Sequence, residues 1–351
     1  MRARAVLARR DDFVVHTPEM VAVHETRYVS VASAGTNGYA YFGFLDALED
    51  HLPDYDAWRQ GLQGVAGCSA GCICALALAL GLTKETRREL EDLFDVGNVV
   101  RTVDIARLVK RYGVDDGAGI RASVERTLVM GGLSPHTTLG DVRRLLRVEF
   151  VCVCTDLRDG RCVPLSSSET PTVQVCDAIA ASCAAPFVYS PQTIDGRYLV
   201  DGCMSCTQPT PFDDQLTLLV RTDGDPSGEI RDWQDFLCRI IHCCSMHGYD
   251  SVRTLYETYP SHTVSLAVPD GNVAFDVAMD EATRMSIRAS GYVSTVTALC
   301  HGFVETLQRA VRTYVETRAV LMEFDPEERP PDAGGCAPIV RPAPEGDSPD
   351  T

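Results

Sequence analysis

Apolar residues along this chain fall into two kinds of run: short β-branched stretches, and longer stretches with helical spacing. The first firm strand signal is Tyr28-Val29-Ser30-Val31-Ala32. It passes through the small residues Ser33 to Gly38 into Tyr39–Leu48, where Phe42, Leu45 and Leu48 mark one helical face. A second unit of the same form follows: an apolar run ending at Val65 and Ala66, a turn at Gly67-Cys68-Ser69-Ala70-Gly71, and an Ala/Leu-rich helix to Leu80. Residues 84–148 read as mainly helical. Apolar stripes run over Lys84–Phe94, Thr102–Tyr112 and Ile120–Met130, and a short helix starts at Thr138; cover helices or a lid-like insertion explain them most simply. Glu149–Thr155 predicts a buried strand, Asp159-Gly160 a turn into Arg161–Leu165, and Ser166–Ser168 a polar loop.

Farther on, Val175–Ala185 predicts an Ala-rich helix closed by Pro186, with short strands at Tyr198–Val200 and Leu216–Arg221. Helical patterns return over Trp233–Cys243 and Ala278–Leu321, and Phe13–His16 and Val21–Val23 read as short strands or a hairpin. From Glu323 onward the chain is rich in Pro, Gly and acids, which predicts a disordered tail. No internal repeat is visible. The expected organisation is an N-terminal extension (1–27), a core (28–222), a mainly helical part of the same domain (223–322) and the tail (323–351).

Composition narrows the class of function. The 351 residues are 45% hydrophobic and 23% charged, ordinary for a globular protein, and no apolar run reaches the length of a membrane helix. A formal charge of −17 argues against nucleic acid, and against an electrostatic grip on anionic membrane surfaces. The basic start, residues 1–10, is cut short by Asp11-Asp12 and reads as an exposed terminus, not a targeting peptide. Fifteen cysteines are irregularly spaced, and many, such as Cys72, Cys74, Cys152, Cys154 and Cys176, lie inside apolar runs. They read as small buried hydrophobes in a reducing compartment. The expected location is intracellular, cytoplasmic with peripheral membrane contact, and not secreted. Two clusters, Cys203 with Cys206 and His242-Cys243-Cys244 with His247, lack the second pair at zinc-ribbon spacing; no metal site and no cofactor are expected.

Two turns carry candidate chemistry. Gly67-Cys68-Ser69-Ala70-Gly71 places a serine between strand and helix, with glycines at Gly67 and Gly71 where a Cβ would obstruct a tight elbow. At a helix N-terminus the hydroxyl meets a partial positive charge that favours a developing alkoxide. A lone G-x-S-x-G is a weak signal in a chain with 27 glycines. The loop Ser33-Ala34-Gly35-Thr36-Asn37-Gly38 presents backbone N–H groups at a helix start, which suits either a phosphate or the oxyanion of acyl transfer. It has neither a phosphate-loop lysine nor a G-x-G-x-x-G.

Together these pieces resemble the patatin-like phospholipase family over most of residues 28–222. The resemblance rests on YVSVA with its SAGTNG loop and following helix, on the GCSAG elbow, on Ala180–Pro186, and on the strand and turn Ile194–Gly202. It implies an α/β, three-layer fold whose central, mostly parallel sheet is flanked by helices and carries a nucleophile elbow. It also implies a lipid acyl hydrolase with a Ser69–Asp201 dyad, and an oxyanion loop formed by Ala34, Gly35, Thr36, Asn37 and Gly38. Gly202 belongs to the aspartate motif. Asp-Gly occurs six times, and Asp116-Gly117-Ala118 is a literal D-G-A, but only Asp201 follows the Ala-rich segment and a short strand. The sequence departs from the family at Ser33-Ala34-Gly35, usually a glycine triplet, at Asn37, usually arginine, and at Cys203, usually glycine or alanine. Phospholipase A-type ester cleavage at a membrane or lipid-droplet surface is the implied activity, although no amphipathic helix stands out as an anchor. Two alternatives stay open: an α/β-hydrolase-type esterase using a Ser-His-Asp triad with His242, His247, His262 or His301, and a catalytically inactive binding or scaffold module.

Overall fold

The computed structural model describes residues 23–95, 100, 104–223, 230, 233–269 and 279–299. Five strands run parallel: β1 (Tyr28–Val31), β2 (Gly64–Cys68), β4 (Glu149–Asp156), β9 (Thr217–Asp223) and β10 (Thr263–Ala267). Their order is β10-β9-β1-β2-β4, so β1 and β2 sit in the interior. Both read as near-continuous apolar runs because both faces are covered by helices. The antiparallel strands β5 (Arg161–Ser166) and β8 (Arg197–Asp201) flank β4, and β7 (Gln192–Ile194) extends β8 as a hairpin turned at Asp195-Gly196. Both turn residues have positive φ, 49° and 71°, as a two-residue hairpin requires. A separate pair joins β3 (Gly113–Asp115) to β6 (Phe187–Tyr189) in parallel.

Helix α1 (Tyr39–His51) follows β1 after a short loop, α3 (Ala70–Leu80) follows β2 through Ser69 alone, and most of their residues are buried. Further helices are α2 (Tyr55–Gln60), α4 (Lys84–Leu93), α5 (Ile105–Arg111), α6 (Ala118–Met130), α7 (Leu139–Leu146), α8 (Val175–Ser182), α9 (Trp233–Thr258) and α10 over 281–299. α10 crosses α1 at backbone contact. A Cβ on Gly43 would lie 2.0 Å from the Arg288 carbonyl oxygen, and one on Gly291 would lie 2.1 Å from that of Ala40. Beside this crossing Asp46, buried on α1, accepts from Arg87 of α4 and Arg288 of α10. Arg87 is itself fully buried, and its remaining N–H groups reach Glu49 and the Leu82 carbonyl, both at 2.6 Å.

Several element readings need correction. The helix expected over Val175–Ala185 stops at Ser182, because Pro186 disfavours helical backbone just before it. The helix starting at Trp233 continues past Cys243 to Thr258 through a polar stretch; tertiary contacts hold its far end, where Tyr256 donates to Gln208 Oε1 at 2.9 Å and stacks under Arg221. Val23 lies in a 3-10 turn and not a strand. β3, β6 and β7 are three residues each, too short for a period-2 signal, and the sequence pattern does not predict β10. Residues 13–16, 300–321 and the tail lie outside the described residues. The buried-cysteine reading holds for Cys72, Cys74, Cys152, Cys154 and Cys176, all free thiols. No helix among the described residues is long and apolar enough to cross a membrane.

Breaking a buried ion cluster leaves an uncompensated charge, so Arg87→Met is expected to destabilise the protein by about 3 kcal/mol. Urea unfolding monitored by circular dichroism measures this; a change under about 0.5 kcal/mol would remove the cluster from the fold's stability.

Candidate active site

The elbow owes its shape to two glycines. A Cβ on Gly67 would lie 2.5 Å from the backbone of Cys72, and one on Gly71 would lie 2.4 Å from the Val31 carbonyl oxygen. The chain therefore turns from β2 into α3 within one residue. Ser69 takes that turn at φ 53°, ψ −126°, a strained conformation for a residue with a side chain, and stands as the N-cap of α3. Its backbone N–H donates to Ser182 Oγ at 2.9 Å, and Ser182 Oγ donates in turn to the Val153 carbonyl at 2.6 Å. Ser182 was not singled out in the sequence, yet it ties the elbow to β4. Its only sequence signal was a hydroxyl in an otherwise apolar helix end.

β4 brings the second group into place. One of its edges carries β5 along Val151–Asp156. The other carries β2, with Cys68 opposite Val153, and then β8, with Asp201 opposite Cys154. β2 and β8 thus meet nearly end to end, and residues 132 positions apart face each other. Gly202 is needed at this junction, since a Cβ there would lie 2.4 Å from the Val153 carbonyl oxygen.

Ser69 Oγ donates to Asp201 Oδ2 at 2.7 Å, with Ser69 5% exposed and Asp201 fully buried. The other carboxylate oxygen, Oδ1, accepts the Cys203 N–H at 2.9 Å. Burial pushes the Asp201 pKa up to about 6, against the stabilising bonds from Cys203 and Ser69. Cys68, Cys154, Cys183 and Cys203 surround it, and burial pushes each of these thiols well up, so they stay neutral. Thr155 Oγ1 donates to the Asp201 carbonyl at 3.0 Å and holds the end of β8. Asp116, the literal D-G-A, lies instead between β3 and α6, where it accepts the Ala118 N–H.

The loop over 33–38 is tighter than an open glycine loop. Gly35–Gly38 form a 3-10 turn with Ala34 as its N-cap, and Gly35 has φ +56°, which a glycine adopts freely. The Ser33 N–H is taken by the Thr207 carbonyl at 2.8 Å and the Asn37 N–H by that of Ala34 at 3.1 Å. Asn37 therefore offers no backbone donor. Its side chain is buried, and Oδ1 has no hydrogen-bond partner. The Gly35 N–H heads the turn, where no acceptor within the turn reaches it. Gly38 packs against the elbow: a Cβ on it would lie 2.8 Å from that of Ala70, the residue after Ser69.

A model of the patatin-like phospholipase family matches residues 29–214. The chain belongs to this family. The match runs from β1 to just short of β9. The chain is 23% identical over 203 residues to an uncharacterized protein of Acanthamoeba polyphaga mimivirus, covering 57% of this chain and 66% of that protein. An uncharacterized NTE family protein of Mycobacterium tuberculosis is 27% identical over 210 residues, 58% of this chain and 51% of its own length. The patatin-like chain thus spans less than two thirds of either relative. The crystal structure of VipD from Legionella pneumophila shares its fold, with a TM-score of 0.53 at 14% identity over 78% of this chain and 67% of that one.

A carboxyl whose folded pKa is raised from 3.8 to about 6 contributes stability at low pH that is lost as pH rises through this window. Two pH units correspond to about 3 kcal/mol. Asp201→Asn cannot titrate, so its stability relative to wild type is expected to rise by about that amount between pH near 3.5 and pH near 7. Paired urea titrations at both pH values measure the gap; a gap independent of pH would contradict the buried, raised carboxyl.

Proposed function

We propose that this protein is a lipid acyl hydrolase that cleaves carboxylic esters in the manner of a phospholipase A, with Ser69 as nucleophile and Asp201 as base. The observation that carries this reading is the direct 2.7 Å bond from Ser69 Oγ to the buried Asp201 carboxylate. Asp201 takes the serine proton as Oγ attacks the ester carbonyl. The raised pKa makes this carboxylate a better base than an exposed one, while leaving it mostly ionised at neutral pH. The tetrahedral oxyanion is stabilised by N–H donors at Gly35 and Thr36 and by the positive end of α3, which begins at Ala70. The proton then passes from Asp201 to the leaving alcohol, giving an acyl-serine. Water, deprotonated by Asp201, hydrolyses the acyl-serine; the acid departs and Ser69 recovers its proton. The sequence requires no metal or cofactor. The substrate ester is met at the surface of a membrane or lipid droplet.

The triad alternative fits less well. Ser69 Oγ is already bonded to an acid, whereas His51 and His262 bond Tyr292 and Ser261 through their rings. Only β1 and β2 precede the elbow among the described residues, fewer strands than an α/β-hydrolase places before its nucleophile. The inactive-module alternative has one observation in its favour, the compact loop with Asn37 in place of arginine. Absence of hydrolysis by folded protein on a panel of phospholipids and short-chain esters would favour it.

Ser69→Ala is expected to abolish labelling by a fluorophosphonate and to lower ester hydrolysis by roughly a thousandfold or more. In wild type, kcat/KM should rise with pH through about 6 and level off above it, as Asp201 loses its proton. Persistent labelling of Ser69→Ala would refute the assignment, and loss of activity in His242→Ala or His262→Ala would support a triad.

A further inference from the structure

The stripe over Thr102–Tyr112 is one of those that read as cover helices or a lid-like insertion. In the structure no residue of α5 is buried. Ile105 and Val109 fall at i and i+4 on one face of α5, and Tyr112 follows as its C-cap at φ +67°; the three are 64%, 77% and 67% exposed. At about 100° per residue, Lys110 lies about 100° around the helix beyond Val109, and Arg111 about 120° beyond Ile105 on the other side, so only their long stems reach back toward the stripe. Both are exposed, and neither has an ion pair among the described residues.

Nearby acids are engaged elsewhere. Asp104 caps the helix start by accepting from the Ala106 and Arg107 N–H groups, and Asp116 pairs with Arg107 at 3.4 Å. Asp115 is buried and accepts the Gly117 N–H.

The stripe is rooted beside the candidate active site. α5 leads into β3, whose Gly113 lies opposite Phe187 of β6. Phe187 is 48% exposed at φ +70°, a left-handed conformation that is costly for a residue with a bulky side chain. Three residues before it, the Ala184 carbonyl accepts the Asp201 N–H at 2.9 Å. An outward-facing aromatic thus stands on the segment that holds the dyad.

We propose that Ile105, Val109, Tyr112 and Phe187, flanked by Lys110 and Arg111, form the surface on which this protein seats against an anionic phospholipid bilayer. Helices that lie in a membrane interface carry this pattern: apolar and aromatic groups that enter the headgroup boundary, edged by long basic side chains whose stems lie along it. Charge complementarity selects the orientation. A chain of net charge −17 is repelled by an anionic surface as a whole, so a locally basic, apolar face is the one that approaches, with the acidic body turned to water. The function of the surface rests on the lipid hydrolase reading, since it would bring the Ser69 site to its ester; binding itself does not require Ser69.

The test uses the full chain carrying Ser69→Ala, so that vesicles stay intact, and measures cosedimentation with phosphatidylcholine vesicles containing about a third phosphatidylserine. Ile105→Asp with Val109→Asp is expected to lower partition at least about tenfold on these vesicles and on pure phosphatidylcholine. Lys110→Glu with Arg111→Glu is expected to lower it by at least about twenty-five-fold on the anionic vesicles and little on the neutral ones, since each base contributes roughly fivefold near an anionic surface. With Ser69 present, the same surface variants should lose hydrolysis of vesicular phospholipid in parallel, while hydrolysis of a soluble short-chain ester and the melting temperature stay unchanged. Absence of vesicle binding by the Ser69→Ala chain, or binding equal in all variants, overturns the proposal. So does a chain that fails to bind vesicles and forms dimers which Val109→Asp dissociates, because the stripe is then an interface between copies. If neither ester is hydrolysed by the chain with Ser69 intact, the hydrolase reading fails while the vesicle result still decides this one.

Discussion

The direct bond between Ser69 and a fully buried Asp201 is the constraint on which the rest of this structure depends. A carboxylate held out of water is costly in its charged form, and the protein offsets only part of that cost with the Cys203 N–H and the serine hydroxyl. The residual cost appears as a raised pKa, which is also what a carboxylate acting on serine without a histidine needs. Stability and base strength are therefore set by the same burial, and they oppose each other. The thiols around the site keep it apolar without adding charge at neutral pH.

Holding the two residues together falls to β4. Its edge seats β2 and β8 in one line, and Ser182 clamps the backbone of Ser69 to the same strand through the Val153 carbonyl. The loop before α1 leans on this assembly from the other side, through Gly38 against Ala70. α1 is in turn held by the Asp46 cluster with Arg87 and Arg288 and by the Gly43–Gly291 crossing with α10. A helix some 240 residues farther along the chain thus buttresses the element that carries the proposed oxyanion loop.

Charge operates on two scales in this molecule. The strongly negative total keeps the body away from anionic surfaces. On α5 the nearby acids are occupied by capping and pairing, which leaves bases beside an exposed apolar stripe. Total charge therefore describes the far field, and the local arrangement describes what happens at contact.

The strand-loop-helix units around Gly35 and Ser69 were legible from the chain alone, because their glycines and their periodicity are local consequences of backbone sterics. Ser69 and Asp201 were both legible, the second through its setting after Ala180–Pro186 and a short strand and not through its spelling. The geometry between them was not legible, since it depends on the register of β2 and β8 on a shared edge of β4, a pairing between segments distant in the chain. For the same reason Ser182 looked like an ordinary residue of an Ala-rich helix, and β3 and β6 gave no signal at three residues each. The stripe of α5 was visible as a period, but a period does not say whether its apolar side meets the core or the solvent. Local sequence determined which segments turn, twist and bury themselves; only tertiary packing decided which of them meet, and which apolar face was left outside.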